Sequence, residues 1–243
     1  MKFAPVLGRF LEISSPTTDI AAALAFYEAL GFTQLSVNET WPHPYAVVTD
    51  GRLFLGLHQT SLASPLLTYV QPDLASRLSE LRRHGIDCES ATLGDQVFNE
   101  ARFVDPNGYR ARLIEARTFS PGAAAEARPG SCGYFSEFAL PVPQFESARR
   151  FWEPLGFVAL EEIAQPFGRM TLTSDTLNIG LYRSRAFRTP LLVFEDEQMA
   201  ERIDSLRERG FILTDEMPDA LDHASNAVLA APDGLKLLLL QSD

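Results

Sequence analysis

Cysteine is scarce in this chain, since Cys88 and Cys132 are its two cysteines among 243 residues. They form no CxxC pair, which excludes a disulfide framework and a cysteine-rich metal site. No apolar run reaches the ~18 residues that a membrane-spanning helix needs. The first residues, MKFAPVLGRFLEISS, also lack the apolar core of a signal peptide. These absences predict a cytoplasmic protein with reduced thiols and no membrane partner.

Basic residues are few, and the common catalytic motifs are absent. Lys and Arg number 21 against 32 Asp and Glu, which gives a formal net charge of −11. Such a surface repels phosphate backbones, so we expect no nucleic-acid partner, and it weakly favours a cationic ligand. The sequence contains no glycine-rich phosphate loop and no Gly-x-Ser-x-Gly elbow. Hydrophobic residues make up 46%, which is enough for a substantial core.

The sequence repeats itself. FLEISSPTTDIAAALAFYEALGF, at 10–32, aligns with FSEFALPVPQFESARRFWEPLGF, at 135–157, at an offset of 125. SPLLTYVQPDLASRLSELRRHG, at 64–85, aligns with TPLLVFEDEQMAERIDSLRERG, at 189–210, at the same offset. A constant offset over separate blocks indicates a tandem duplication.

The end of each repeat is marked by a turn followed by an apolar strand. FVDPNGYRARLIEA, at 103–116, corresponds to LAAPDGLKLLLLQ, at 229–241. Between the repeats, residues 119–131 are rich in Ala, Gly, Pro and Ser and show no apolar period, which is typical of a linker. We therefore predict two domains, at 1–118 and 132–243.

Each half alternates strands and helices in the same order. A short strand precedes a helix that Asp19 caps and Gly31 ends. Two strands then form a hairpin around Asp50 and Gly51, and a second strand and helix follow. A further hairpin turns at 106–108. The pattern predicts four βαβββ modules in an α+β fold.

This order of elements resembles the vicinal oxygen chelate superfamily, which includes glyoxalase, the bleomycin- and fosfomycin-resistance proteins and the extradiol dioxygenases. The resemblance lies in SSPTTDIAAALAFYEALGF, PVPQFESARRFWEPLGF, FVDPNGYRARLIE and APDGLKLLLLQ. It implies that the four modules pair into two glyoxalase-like domains whose mixed sheets form cups. In that family a cup usually holds a divalent metal that chelates two neighbouring substrate oxygens.

The metal-ligand positions that the resemblance implies are only partly filled. Ligands tend to lie on the first strand, seven residues before the helix cap, where this chain has Glu12 and Glu137. Others tend to lie on the last strand, seven residues after the turn opens, where it has Arg112 and Leu238. Neither of these can bind a metal, because guanidinium only donates hydrogen bonds. We therefore expect no metal cofactor; the alternative is a divalent ion held by Glu12, His58 and Glu137.

The position of Arg112 suggests a role in place of a metal ligand. Glu12 and Arg112 are expected to face each other at the floor of the first cup and to form an ion pair in the volume that a cation would fill. The alternative is that Arg112 points out of the sheet into solvent.

Aromatic side chains are candidates for the walls of the cups. WPHPY, at 41–45, places Trp41 and Tyr45 just before a strand of the first cup, and His58 ends the next strand. Arg169 and Tyr182 are their counterparts in the second cup. Such side chains suit a flat or apolar ligand, although they also occur in ordinary loop packing.

The resemblance and the candidate residues together predict a metal-free small-molecule-binding protein of the bleomycin-resistance type. The ligand, a small cationic or aromatic organic molecule, would occupy one or both cups of a monomer or homodimer. One alternative is an enzyme, either a metal-dependent lyase of the glyoxalase type or an extradiol-type dioxygenase. A further alternative is an interaction module whose cups are closed.

Overall fold

The computed structural model describes residues 6–37, 41–62, 65–116 and 130–242. Most of the predicted linker, residues 119–129, lies outside the described residues. The first sheet uses residues 9–115 and the second 134–241, while the domain boundaries themselves stay predictions. No helix in the described ranges is long and apolar enough to cross a membrane.

The first half of the chain forms one mixed sheet with two helices. Its elements are β1 (Arg9–Pro16), α1 (Ile20–Ala29), β2 (Thr33–Leu35), β3 (Tyr45–Thr49), β4 (Phe54–His58), β5 (Leu66–Gln71), α2 (Leu74–Arg83), β6 (Cys88–Thr92), β7 (Glu100–Val104) and β8 (Arg110–Glu115). The strand order is β2-β3-β4-β1-β5-β8-β7-β6. At the centre, β1 and β5 are antiparallel, while β1 pairs in parallel with β4 and β5 with β8.

The second half repeats this arrangement. Its elements are β9 (Tyr134–Pro141), α3 (Phe145–Trp152), a 3-10 turn (Glu153–Leu155), β10 (Val158–Ala159), β11 (Gly168–Thr173), β12 (Asn178–Arg183), β13 (Leu191–Asp196), α4 (Met199–Glu208), β14 (Leu213–Thr214), β15 (Ala227–Ala230) and β16 (Lys236–Gln241). The order β10-β11-β12-β9-β13-β16-β15-β14 matches the first sheet strand for strand. The prediction of an α+β fold with four βαβββ modules in two domains is confirmed.

The helices begin where the sequence provides a cap. The Asp19 carboxylate accepts a hydrogen bond from the Ala22 backbone N–H, and Asp73 accepts one from Ser76. Each bond satisfies one of the free N–H groups of a helix start. The buried face of α2 carries Leu74, Leu78 and Leu81, as its periodicity predicts.

Alternation along the strands separates two faces of each sheet. In the first sheet, Ile13, Leu67 and Leu113 belong to the apolar core. Their neighbours Glu12, Ser14, Thr68 and Arg112 lie on the opposite face, which we term the first cup. The corresponding face of the second sheet, which carries Glu137, Val193 and Leu238, is termed the second cup.

The repeated turns join the two domains. Asp233, in the turn before β16, accepts hydrogen bonds from Ser15 Oγ at 2.8 Å and from Tyr27 OH at 3.2 Å. In the opposite direction, Trp152 Nε1 of α3 donates to Asp105, in the turn before β8, at 3.4 Å. Tyr27 and Trp152 occupy equivalent positions of the repeat, so each domain presents its aromatic helix residue to the turn of the other. This reciprocal contact is a structural reason for the duplicated turn.

Candidate ligand site in the first cup

Glu12 lies at the centre of the first cup and has no solvent-exposed surface. Its Oε1 accepts hydrogen bonds from Ser14 Oγ at 2.6 Å and meets His58 Nε2 at 2.8 Å. Its Oε2 accepts from Tyr45 OH at 2.5 Å. Three neighbouring side chains thus replace the water that this buried carboxylate loses on folding, which is the condition for burying such a group.

The backbone beside Glu12 leaves room for the carboxylate. A Cβ atom on Gly56, on the adjacent strand β4, would lie 2.2 Å from the Glu12 carboxylate. The second cup has the same arrangement, because a Cβ on Gly180 would lie 2.4 Å from Glu137 Oε1. Glycine at both positions is therefore a steric requirement of the buried acid.

Arg112 is buried as deeply as Glu12, with 1% of its surface exposed. Its Nη2 donates to Ser14 Oγ at 3.0 Å and to Thr68 Oγ1 at 3.1 Å. The Trp41 ring covers the guanidinium at 4.2 Å from Cζ, which is a cation–π contact. Burial lowers the pKa of Arg112, and the negative charge of Glu12 partly opposes that shift.

The predicted direct ion pair between Glu12 and Arg112 is corrected by this geometry. The Ser14 hydroxyl donates to Glu12 and accepts from Arg112, so it bridges the two charges. Side chains on strands β1 and β8 reach each other through β5, which lies between them, and a single hydroxyl fills the remaining distance. The alternative that Arg112 points into solvent is wrong.

A line of two imidazoles leads from Glu12 to the mouth of the cup. His58 Nε2 faces Glu12 at 2.8 Å, and His58 Nδ1 faces His43 Nε2 at 2.9 Å. Partial burial lowers the pKa of His43, with smaller contributions from His58 and Arg112. His43 belongs to the WPHPY motif, which was the available signal for it.

Aromatic rings surround this line of side chains. The Trp41 ring stacks on His43 at 5.8 Å and lies 5.0 Å from Phe98, a ring that is 41% exposed. Tyr45 lies 4.6 Å from His58. The predicted residues Glu12, Trp41, Tyr45, His58 and Arg112 are therefore brought together. Ser14, Thr68 and Phe98 complete the group, and sequence reasoning missed them.

In the second cup, Glu137 and Tyr182 form a direct hydrogen bond, and Arg169 lies beside Tyr182. Tyr182 OH donates to Glu137 Oε1 at 2.6 Å, and Thr171 Oγ1 donates to Oε2 at 2.8 Å. Burial raises the pKa of Glu137, and these two hydrogen bonds oppose the shift. Arg169 pairs with Tyr182 across β11 and β12, and its positive charge also opposes the rise in the pKa of Glu137.

Apolar side chains fill the second cup. Val193 and Leu238 stand where the first cup has Thr68 and Arg112. They belong to a buried cluster that loop residues complete: Ala139, Phe167, Tyr182, Phe187, Leu191, Val193, Met217, Val228, Leu238 and Leu240. In the described residues, this packing occupies the space that a ligand of the second cup would need.

The first cup does not fit a catalytic metal. It has two histidines and one carboxylate, the composition of a facial iron triad. However, His58 uses one ring nitrogen towards Glu12 and the other towards His43, so the three groups lie in line rather than around a common point. No cluster of three or more His, Cys, Asp or Glu residues suited to a metal occurs among the described residues. The fixed positive charge of Arg112 would also repel a cation at the cup floor.

Comparisons with known proteins extend the fold assignment. A scan against family models and a search of curated proteins give no match. Among solved structures, an extradiol ring-cleaving dioxygenase from Brevibacterium fuscum matches with a TM-score of 0.64 at 17% identity, covering 99% of this chain and 73% of that one. A catechol 2,3-dioxygenase matches with a TM-score of 0.60 at 15% identity, covering 97% of this chain and 87% of that one.

These matches establish the class of fold. The chain has the two-domain fold of these dioxygenases, in agreement with the tandem duplication that the sequence repeat predicts and the fold that the resemblance implies. At this low sequence identity the similarity shows only the fold, so the activity must be argued from the side chains of the site.

Proposed function

We propose that the first cup binds a small aromatic molecule without a catalytic metal. The observation that carries this proposal is the buried guanidinium of Arg112 beneath Trp41, at the position where the resemblance implies a metal ligand. Arg112 donates from Nε and Nη2, and Nη1 has no hydrogen-bond partner among the described residues. That amino group can donate to an oxygen atom of a ligand.

The mouth of the cup supports an aromatic rather than a cationic ligand. The rings of Trp41, His43, Tyr45 and Phe98 provide faces and edges on which a flat molecule can stack. Arg112 would repel a cation, but it attracts a carboxylate or phenolate oxygen. The ligand ring would stack on the Trp41 indole or take its place above the guanidinium.

Tryptophan fluorescence tests this proposal. The chain has two tryptophans, and Trp152 is buried between the domains, so Trp41 reports on the cup. We expect benzoate or catechol to change the fluorescence of the wild type and of Trp152→Phe, but not of Trp41→Phe. Arg112→Lys should weaken benzoate binding, because an ammonium lacks the planar fork of a guanidinium.

Thermal unfolding provides the second readout. A ligand at 100 times its Kd stabilises the folded chain by about 2.7 kcal/mol. If neither probe changes the Trp41 fluorescence nor raises the Tm, the proposal fails. The first cup would then be closed like the second, as the alternative of an interaction module predicts.

The second candidate is a metal-dependent enzyme, either a ring-cleaving dioxygenase or a glyoxalase-type lyase. It is supported by the similar structures, which are ring-cleaving dioxygenases, and by the presence of Glu12, His58 and His43 in one cup. To converge on an ion, His58 would have to give up one of its two contacts. Oxygen uptake with catechol after loading with Fe²⁺ or Mn²⁺ tests the dioxygenase, and activity that Glu12→Gln abolishes would replace the metal-free proposal.

A further inference from the structure

A cavity lies away from the first cup, in the cleft where the two domains meet. It is an open cleft of about 610 Å³. One wall is formed by Tyr109, next to β8, and another by Pro141 at the end of β9. The Tyr109 hydroxyl donates to the Pro141 carbonyl at 2.5 Å, so a hydrogen bond between the domains fixes the two walls.

The third wall is a positively charged loop. The sequence RSRAFR, at 183–188, places Arg183, Arg185 and Arg188 along the cleft, and no acidic residue lines it. Arg183 already has partners, because it pairs with Glu162 at 3.0 Å and lies over the Phe145 ring at 4.7 Å. Arg185 and Arg188 have no ion-pair partner among the described residues.

Arg185 and Arg188 make this loop positively charged in a chain whose acidic residues outnumber basic ones by 32 to 21. Guanidinium groups have planar donor geometry that suits a carboxylate or phosphate group. Phe187, with 4% exposure, and Pro141 add an apolar wall beside these charges.

We propose that this cleft binds a small organic oxyanion, with Arg185 and Arg188 holding the anionic group and the Phe187–Pro141 wall contacting the organic part. The site is separate from the first cup, because none of the first-cup residues lines it. Its lining comes from the turn before β8, the end of β9 with the residues after it, and the end of β12 with the loop after it. It does not depend on the proposed function of the first cup.

Isothermal titration calorimetry of the full chain with phenyl phosphate and with inorganic phosphate tests the site. We expect phenyl phosphate to bind more tightly than inorganic phosphate, since only the former reaches the apolar wall. Each of Arg185→Ala and Arg188→Ala should weaken phenyl phosphate binding about tenfold, the loss typical of a hydrogen bond to a charged group.

The matched control is the double variant Arg82→Ala/Arg83→Ala, which removes the same charge from the exposed end of α2. It should bind phenyl phosphate like the wild type. Equal weakening in the control and in Arg185→Ala/Arg188→Ala would indicate nonspecific charge attraction and overturn the proposal, as would an absence of binding heat in the wild type. The cleft double variant should also keep the Trp41 fluorescence response, so failure of one proposed site is distinguishable from failure of the other.

Discussion

At the residue scale, the Ser14 hydroxyl connects the charges of the first cup. Its one proton is donated to Glu12, so Thr68, at 2.7 Å, donates its proton to Ser14 and accepts from Arg112. Donors and acceptors therefore run in one direction, from the guanidinium through two hydroxyls to the carboxylate. Hydrogen bonds aligned in this way strengthen one another in a low-dielectric interior.

A double-mutant cycle measures this connection. We expect Arg112→Leu to lower the free energy of unfolding by about 3–5 kcal/mol, because it leaves buried polar groups without their charged partner. The double variant with Glu12→Leu should lose less than the sum of the two single losses, with a coupling energy of about 0.5–3 kcal/mol. Urea denaturation provides the values. Strictly additive losses would mean that the two charges do not interact.

At the element scale, equivalent helices of the two domains differ at the residue that precedes the helix. Asp19 and Asp73 cap α1 and α2, whereas Gln144 and Gln198 stand before α3 and α4 without a side-chain cap bond. Gln144 has φ −143° and ψ 132°, an extended conformation like that of Asp19, at −140° and 101°. The backbone before α3 is therefore already shaped for a cap.

Supplying that cap should stabilise the second domain. In Gln144→Asp, the carboxylate can accept from the Ser147 N–H, as Asp19 does from Ala22, and we expect a gain of about 0.5–1 kcal/mol. Gln198→Asp is the matched control, because its ψ of 33° is not extended and its gain should be smaller. Thermal unfolding of both variants checks this expectation, and a destabilised Gln144→Asp would contradict it.

The elements were predictable from the sequence because their signals are local or repeated. Capping Asp19, turn-forming Gly51 and the constant offset of the repeat each fix an element or a pairing of modules. In the site, the resemblance to the family implied Glu12 and Arg112, by counting from the helix cap and from the turn. Ser14 and Thr68 could not, because their contact depends on β1 pairing with β5.

The sequence also could not predict that apolar side chains fill the second cup. Phe187 and Met217 come from loops that have no apolar period, so nothing in their spacing indicates where they pack. The sequence-based expectation left either cup open to a ligand. Tertiary packing of these loops is what distinguishes the two cups.

At the scale of the whole molecule, the two copies share a fold but differ in the chemistry of their cups. Glu12 and Glu137 occupy equivalent positions, yet Arg112 faces a polar floor and Leu238 an apolar cluster. The contacts between the copies are reciprocal, with Tyr27 on Asp233 and Trp152 on Asp105. We infer that the second domain contributes packing and most of the lining of the cleft, while the first presents the cup.

The contact at Asp233 should make stability depend on pH. Burial raises the pKa of this carboxyl, although hydrogen bonds from Ser15, Leu235 and Tyr27 oppose the shift. Between the unfolded pKa, about 3.9, and the raised folded value, the native state binds more protons than the unfolded state. The contribution of Asp233 to the free energy of unfolding therefore falls as pH rises through that window.

Urea denaturation from pH 4 to 7 tests this sign. The difference in stability between the wild type and Asp233→Asn should become less favourable to the wild type as pH rises. The exposed Asp219→Asn controls for loss of one negative charge. A difference that stays constant or grows with pH would show that Asp233 does not titrate with a raised pKa.

Metal binding by the purified chain tests the central claim most directly. That claim is that Arg112 and the in-line contacts of Glu12, His58 and His43 leave no converging lone pairs at the floor of the first cup. The measurement is elemental analysis of freshly purified protein, followed by thermal unfolding with Mn²⁺, Fe²⁺, Ni²⁺ and Zn²⁺. We expect substoichiometric metal and no Tm increase that Glu12→Gln removes. One equivalent of a divalent ion, lost in Glu12→Gln, would contradict the claim.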